Sequence, residues 1–95
     1  MSEARLQSKI TKYLRSNGYY VFKIDGYLGA PDLVVMKPGH TFFIETKTAT
    51  GALQPHQASF HERLQVAGFD VFVIRSMKDL EKVGLKTDVK IIRLT

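Results

Sequence analysis

The sequence predicts an α/β domain in which a mixed β-sheet is flanked by helices, and three observations carry that prediction. The apolar period switches from helical to alternating and back along the chain, giving the order α-β-β-β-α-β with a further α-β extension. A Pro-Gly turn joins the second and third strands as an antiparallel hairpin, whereas a helix separates the third from the fourth, a connection long enough to make them parallel. Ninety-five residues suffice for one hydrophobic core, so residues 1–95 are read as a single domain.

Residues 2–16 form the first helix: Leu6, Ile10, Tyr13 and Leu14 recur at helical spacing, Ser2 can cap the start, and Asn17-Gly18 supplies a left-handed stop. Aromatic and β-branched residues make 19–24 a strand, and the glycines and proline of 25–31 make a loop. Strands follow at 32–36 and 41–47, joined by the four-residue turn Lys37-Pro38-Gly39-His40. Residues 48–54 are a polar loop, and Pro55 opens a second helix that runs to Ala67 and stops at Gly68. A strand covers 69–75. Ser76 with Asp79 resembles a capping box for a short helix through Met77, Leu80 and Val83, ended by Gly84, and 89–94 is a final strand.

Composition then removes whole classes of function. No cysteine is present, which excludes disulfides, thiolate metal sites and cysteine nucleophiles. No apolar run reaches the ~20 residues of a membrane span, and the N-terminus lacks a signal peptide's apolar stretch, so the expectation is a soluble cytoplasmic protein. A net charge of +5 favours a polyanionic partner.

The chemistry follows from strand register. If Met36 pairs with Thr41, Leu33 lies opposite Ile44 and Asp32 opposite Glu45, and paired residues share a face. Lys47 lies on that same face, ~7 Å beyond Glu45. Two carboxylates with Cα atoms ~5 Å apart repel unless a positive charge lies between them, and a divalent cation answers that need. Magnesium accepts two carboxylates and a carbonyl and keeps water in its remaining positions; Lys47 beside such a water would favour its deprotonation for attack on phosphorus. Two more polar residues fall on apolar helix faces. Glu3 lies within ~40° of the direction of Leu6, Ile10, Tyr13 and Leu14, and Gln57 within ~60° of that of Phe60, Leu64 and Ala67, so both are expected to face inward.

Gly29-Ala30-Pro31-Asp32, followed thirteen residues after the aspartate by Glu45-Thr46-Lys47, resembles the PD-(D/E)XK nuclease motif. Gly51-Ala52-Leu53-Gln54-Pro55-His56-Gln57, with Glu3 in the opening helix, narrows the resemblance to the VRR-NUC (virus-type replication-repair nuclease) branch, over residues 3–76. The resemblance implies a restriction-endonuclease-like fold and a Mg²⁺- or Mn²⁺-dependent endonuclease. In it Asp32, Glu45 and the Thr46 carbonyl would ligate metal, Lys47 would position the attacking water, and Gln57 and Glu3 would support the site. It further implies branched DNA such as a Holliday junction as substrate and a homodimer as the working unit. One departure is Gln54, where such proteins often carry Ser or Thr as helix cap.

Other readings stay open beside this one. Arg5, Lys9, Lys12 and Arg15 form a cationic stripe that suits phosphate contact and equally a solvated helix face. Glu3 in a first helical turn is favoured by the macrodipole whatever its role. Gln57 could cap loop carbonyls in 48–51, and His61 is expected to be half-exposed. Tyr27 and Leu28, between Gly26 and Gly29, belong to a substrate-contacting loop or to a plain connection. The rival function is a non-catalytic basic nucleic-acid-binding or assembly module, and a nuclease acting on flaps or RNA is a further alternative.

Overall fold

The computed structural model describes residues 1–82, in the order α1 (Glu3–Ser16), β1 (Tyr20–Lys23), β2 (Leu33–Lys37), β3 (His40–Thr46), α2 (Pro55–Val66), β4 (Asp70–Ile74) and α3 (Met77–Lys82). The expected strand at 89–94, with Val83 and Gly84, lies outside the described residues. Each other element agrees with the sequence reading to within a residue or two at its ends. The four strands form one sheet in the order β1-β2-β3-β4. β1/β2 and β2/β3 are antiparallel and β3/β4 is parallel, so the sheet is mixed as expected.

One face of the sheet holds the core. Leu6, Ile10 and Leu14 of α1 are buried against Val21, Leu33, Val35, Phe42, Ile44 and Ile74, with Leu80 of α3 closing one side. Each such side chain contributes roughly 1.5–3 kcal/mol by leaving water. Phe42 packs edge-on against both Tyr19 and Phe72. α1 starts as the sequence implies: the Ser2 hydroxyl accepts from Arg5 N at 3.2 Å.

The hairpin differs in one detail from expectation. Lys37 pairs with His40, so the turn shrinks from four residues to Pro38-Gly39, with Gly39 at φ +77° as a type II turn demands. Each strand gains one residue at the turn and gives up one at its other end, and Leu33 still lies opposite Ile44.

α2 lies on the other face, because Glu45 follows the core residue Ile44 and therefore points the opposite way, toward α2. The helix is weakly amphipathic, and its buried residue is His61. This corrects the expectation of a half-exposed His61. Phe60 and Leu64 are only half-buried and Ala67 is exposed, because the strand surface beneath α2 presents an acid, and the helix turns its polar side toward it. Glu3 is also corrected: it is exposed, one turn ahead of Leu6, the first residue of α1 that the sheet covers. Among the described residues no helix is long and apolar enough to cross a membrane.

Candidate active site

The ends of β2 and β3 bring together the acids that the motif spacing singles out. Asp32 stands one residue before β2, where its carbonyl accepts from Ile24 N at 2.8 Å. Its carboxylate is held by the next strand: Oδ2 accepts from both Thr46 N and Thr46 Oγ1, each at 2.7 Å. One oxygen of Asp32 thus takes two donors from a single threonine. The fully buried hydroxyl of Thr46 is a positioning group that sequence reasoning missed, since only its carbonyl stood out there.

Glu45 is 2% exposed. Burial, then the charge of Asp32, then a hydrogen bond shared with Asp32 push its pKa up to about 8, with a small further push from Glu3 and an opposing pull from Lys47. Its carboxyl therefore keeps its proton to a higher pH than an ordinary carboxylate. Gln57 Nε2 donates toward Glu45 Oε2 at 3.5 Å, and His61 Nε2 lies 3.4 Å from Oε1. His61 is itself shifted down from its ordinary value by burial. Among the described residues neither Glu45 Oε1 nor His61 Nε2 has a hydrogen-bond partner, although both are buried. The signal for His61 in the sequence is its place one helical turn after Gln57.

Loops hold the surroundings in place. Gly29 adopts φ +84°, and a Cβ there would sit 2.7 Å from the His56 carbonyl, so the loop before Asp32 is pressed against the start of α2. Gln57 Oε1 accepts from Gln54 N at 2.9 Å, so α2 is capped from inside the helix and the absent Ser or Thr is compensated. One amide side chain thereby joins the helix start to Glu45. Arg75 Nη1 donates to the Thr48 carbonyl at 2.8 Å and to that of Gly51, taking the loop-capping task that Gln57 could have had. That clamp fixes the loop after Lys47, which is half-buried and donates its backbone N–H to Ile74 O at 3.1 Å. Arg5, Lys9, Lys12 and Arg15 are all exposed, and so are Tyr27 and Leu28.

The arrangement suits a hard divalent cation. A buried carboxylate oxygen without a donor faces this cluster, and two acids share a space that both can occupy as anions only if a positive charge joins them. Among the described residues no group of three His, Cys, Asp or Glu side chains is arranged to hold a metal ion. The donors on offer are thus two carboxylates and backbone oxygen, a set that fits an ion keeping several waters.

A mixed sheet flanked by helices, with acids at the ends of adjacent central strands, defines a nuclease of the restriction-endonuclease-like class. The VRR-NUC domain matches residues 4–78, and the chain belongs to that family. It is similar to a solved VRR_NUC domain structure at 36% identity and a TM-score of 0.78, covering 85% of this chain and 91% of that one. It is also similar in fold to Archaeoglobus fulgidus Hjc, a Holliday junction resolvase from an archaeal hyperthermophile, at 16% identity and a TM-score of 0.61, over 77% of this chain and 67% of that one. No curated protein matches the chain.

Proposed function

We propose that the protein is a Mg²⁺- or Mn²⁺-dependent endonuclease that hydrolyses phosphodiester bonds in branched DNA, such as a Holliday junction, and works as a homodimer. The observation that carries this reading is the meeting of Asp32 with a buried Glu45 at the ends of β2 and β3. The VRR-NUC family and the fold shared with a junction resolvase support it.

Asp32, Glu45 and the Thr46 carbonyl would hold the cation, which when bound polarises the scissile phosphate and lowers the pKa of water. The chain's own residues do the rest. Thr46 binds Oδ2 of Asp32 twice and so fixes the carboxylate in one orientation. Gln57 and His61 fix the rotamer of Glu45, and Glu3 adds a carboxylate at the rim. Lys47 orients the attacking water and favours loss of its proton through its own positive charge. The water oxygen bonds to phosphorus as its proton passes to solvent, one ester P–O bond breaks, and the leaving oxygen takes up a proton from solvent. Of the cationic stripe on α1, Lys12 and Arg15 supply phosphate contacts, and Arg5 and Lys9 remain solvated.

The test is an end-labelled cleavage panel over four-way junction, flap, nicked and linear DNA, with Mg²⁺, with Mn²⁺ and with chelator. The junction should be cut fastest, and only with metal. Asp32→Ala and Glu45→Ala should abolish cutting, and Lys47→Ala should slow it by roughly 10²-fold or more. Unchanged cutting by all three variants would sink the reading. Salt-sensitive DNA binding with no products under any condition would instead establish a non-catalytic binding module.

A further inference from the structure

A crevice of about 260 Å³ opens between α1 and β1, away from the acids. Lys12 and Arg15 of α1 and Lys23 of β1 line it, with Gln7 and Ser8 at one end and Leu33 among its apolar walls. Three cations converge there and no carboxylate belongs to the lining. Arg15 is already oriented: its Nη2 donates to the Val21 carbonyl at 2.8 Å, which uses one of its five donors and fixes the guanidinium plane across the gap between helix and strand. The sequence reads Lys12 and Arg15 as half of a four-residue stripe. The fold divides that stripe, leaving Arg5 and Lys9 outside the crevice and recruiting Lys23, which no helical periodicity could connect to them.

The crevice and the candidate active site lie at the same end of the sheet, on opposite faces. Leu33 follows Asp32 directly and pairs in register with Lys23. Glu3, whose charge reaches Glu45, lies one helical turn before Gln7. From Glu3 to Lys12 the helix rises ~14 Å at about 1.5 Å per residue. At ~3.4 Å of axial rise per nucleotide, and more for a stretched strand, that span is roughly two to four nucleotides.

We propose that this crevice is a phosphate subsite, in which Lys12, Arg15 and Lys23 hold a backbone phosphodiester of the cleaved strand roughly two to four nucleotides from the scissile bond. The inference rests on the nuclease reading for its placement relative to the cut. Its chemistry is that of convergent cations on a half-open cavity whose Val21 and Leu33 walls suit the apolar side of a deoxyribose. The contact carries no base information; it sets how the strand is threaded into the acids.

Binding of a fluorescent four-way junction in Ca²⁺ is measured by anisotropy over a salt series, for the whole chain and for Lys12→Ala, Lys23→Ala, Arg5→Ala and Lys9→Ala. These lysines are exposed, so the fold should tolerate their loss; Arg15→Ala is left aside because it also removes the tie to Val21. Lys12→Ala and Lys23→Ala should each weaken binding roughly 3- to 10-fold at low salt and reduce the slope of log K against log salt by about 0.9. Arg5→Ala and Lys9→Ala should change either quantity by much less. A neutral methylphosphonate placed two to four nucleotides from the cut should weaken the wild type by the same factor and the Lys12→Ala, Lys23→Ala double variant hardly at all. Equal losses across all four lysine and arginine variants, or an additive effect of the methylphosphonate in the double variant, would overturn the subsite. Failure of the nuclease reading is separately visible: DNA bound through Lys12 and Lys23 but never cut leaves the phosphate contact standing and removes the active site.

Discussion

Glu45 concentrates the physics of the site in one residue. Its pKa rises from 4.5 to about 8, so in the metal-free protein the folded state holds a proton that the unfolded chain has released. The sign follows directly: the contribution is fully present below about pH 4.5 and is lost as pH rises through about 8. His61 works in the other direction, because its lowered pKa makes stability fall as pH drops below 6.5. Between pH 7 and 9 His61 is neutral in both states, and Glu45 acts alone. In chelator, the melting temperature of the wild type should therefore fall from pH 7 to 9, with a slope approaching ~1.4 kcal/mol per pH unit below 8. Glu45→Gln, which keeps the shape and cannot ionise, should give a flatter profile and the higher melting temperature at pH 9. Parallel profiles would mean that Glu45 is ionised in the metal-free fold, and Mn²⁺ would then have no proton to displace there.

Among the elements, the start of α2 decides whether the acids and their supports stay in register. Gly29 and Gly26 share a φ of +84°, but a Cβ at Gly29 meets the His56 backbone whereas one at Gly26 meets nothing within 4 Å. Gly26→Ala should therefore show only the ~1 kcal/mol cost of a left-handed alanine. Gly29→Ala should lose clearly more stability, and cutting with it, because either the loop bearing Asp32 or the helix bearing Gln57 must move. Paired thermal melts and cleavage rates check this, and equal effects of the two changes would remove the close contact from the account. This same junction separates what the sequence reveals from what it conceals. The register of Leu33 opposite Ile44, the mixed sheet and the buried positions Leu6, Ile10 and Leu14 of α1 are legible because period 2 and period 3.6 are imposed by one dry surface. The buried side of α2 is not, since its partner is Glu45: a helix packed against an acid buries His61, half-buries Gln57 and leaves Ala67 in water, which apolar periodicity cannot report. The clamp from Arg75 to the Thr48 and Gly51 carbonyls was equally hidden, being a contact between residues more than twenty positions apart.

For the whole molecule, charge separates binding from chemistry. The chain carries a net charge of +5, and in the proposed reading the Asp32 carboxylate lies where a phosphate would approach and opposes the attraction of the proposed basic crevice. Asp32→Asn removes that negative charge and one proposed cation ligand together. The variant should bind a junction in chelator at least as tightly as the wild type while failing to cut it in Mg²⁺. Weaker binding by this variant would show instead that Asp32 chiefly maintains the fold through Thr46. The same inactive protein permits a count of chains on an uncut junction by light scattering. One set of acids cuts one strand, so paired incisions across a four-way junction require two chains, and the complex should contain two. A complex with a single chain would exclude concerted resolution and turn attention to flaps or nicks. Chain count and substrate shape escape sequence reasoning for a common reason: they depend on surfaces between molecules, which no periodicity within one chain specifies.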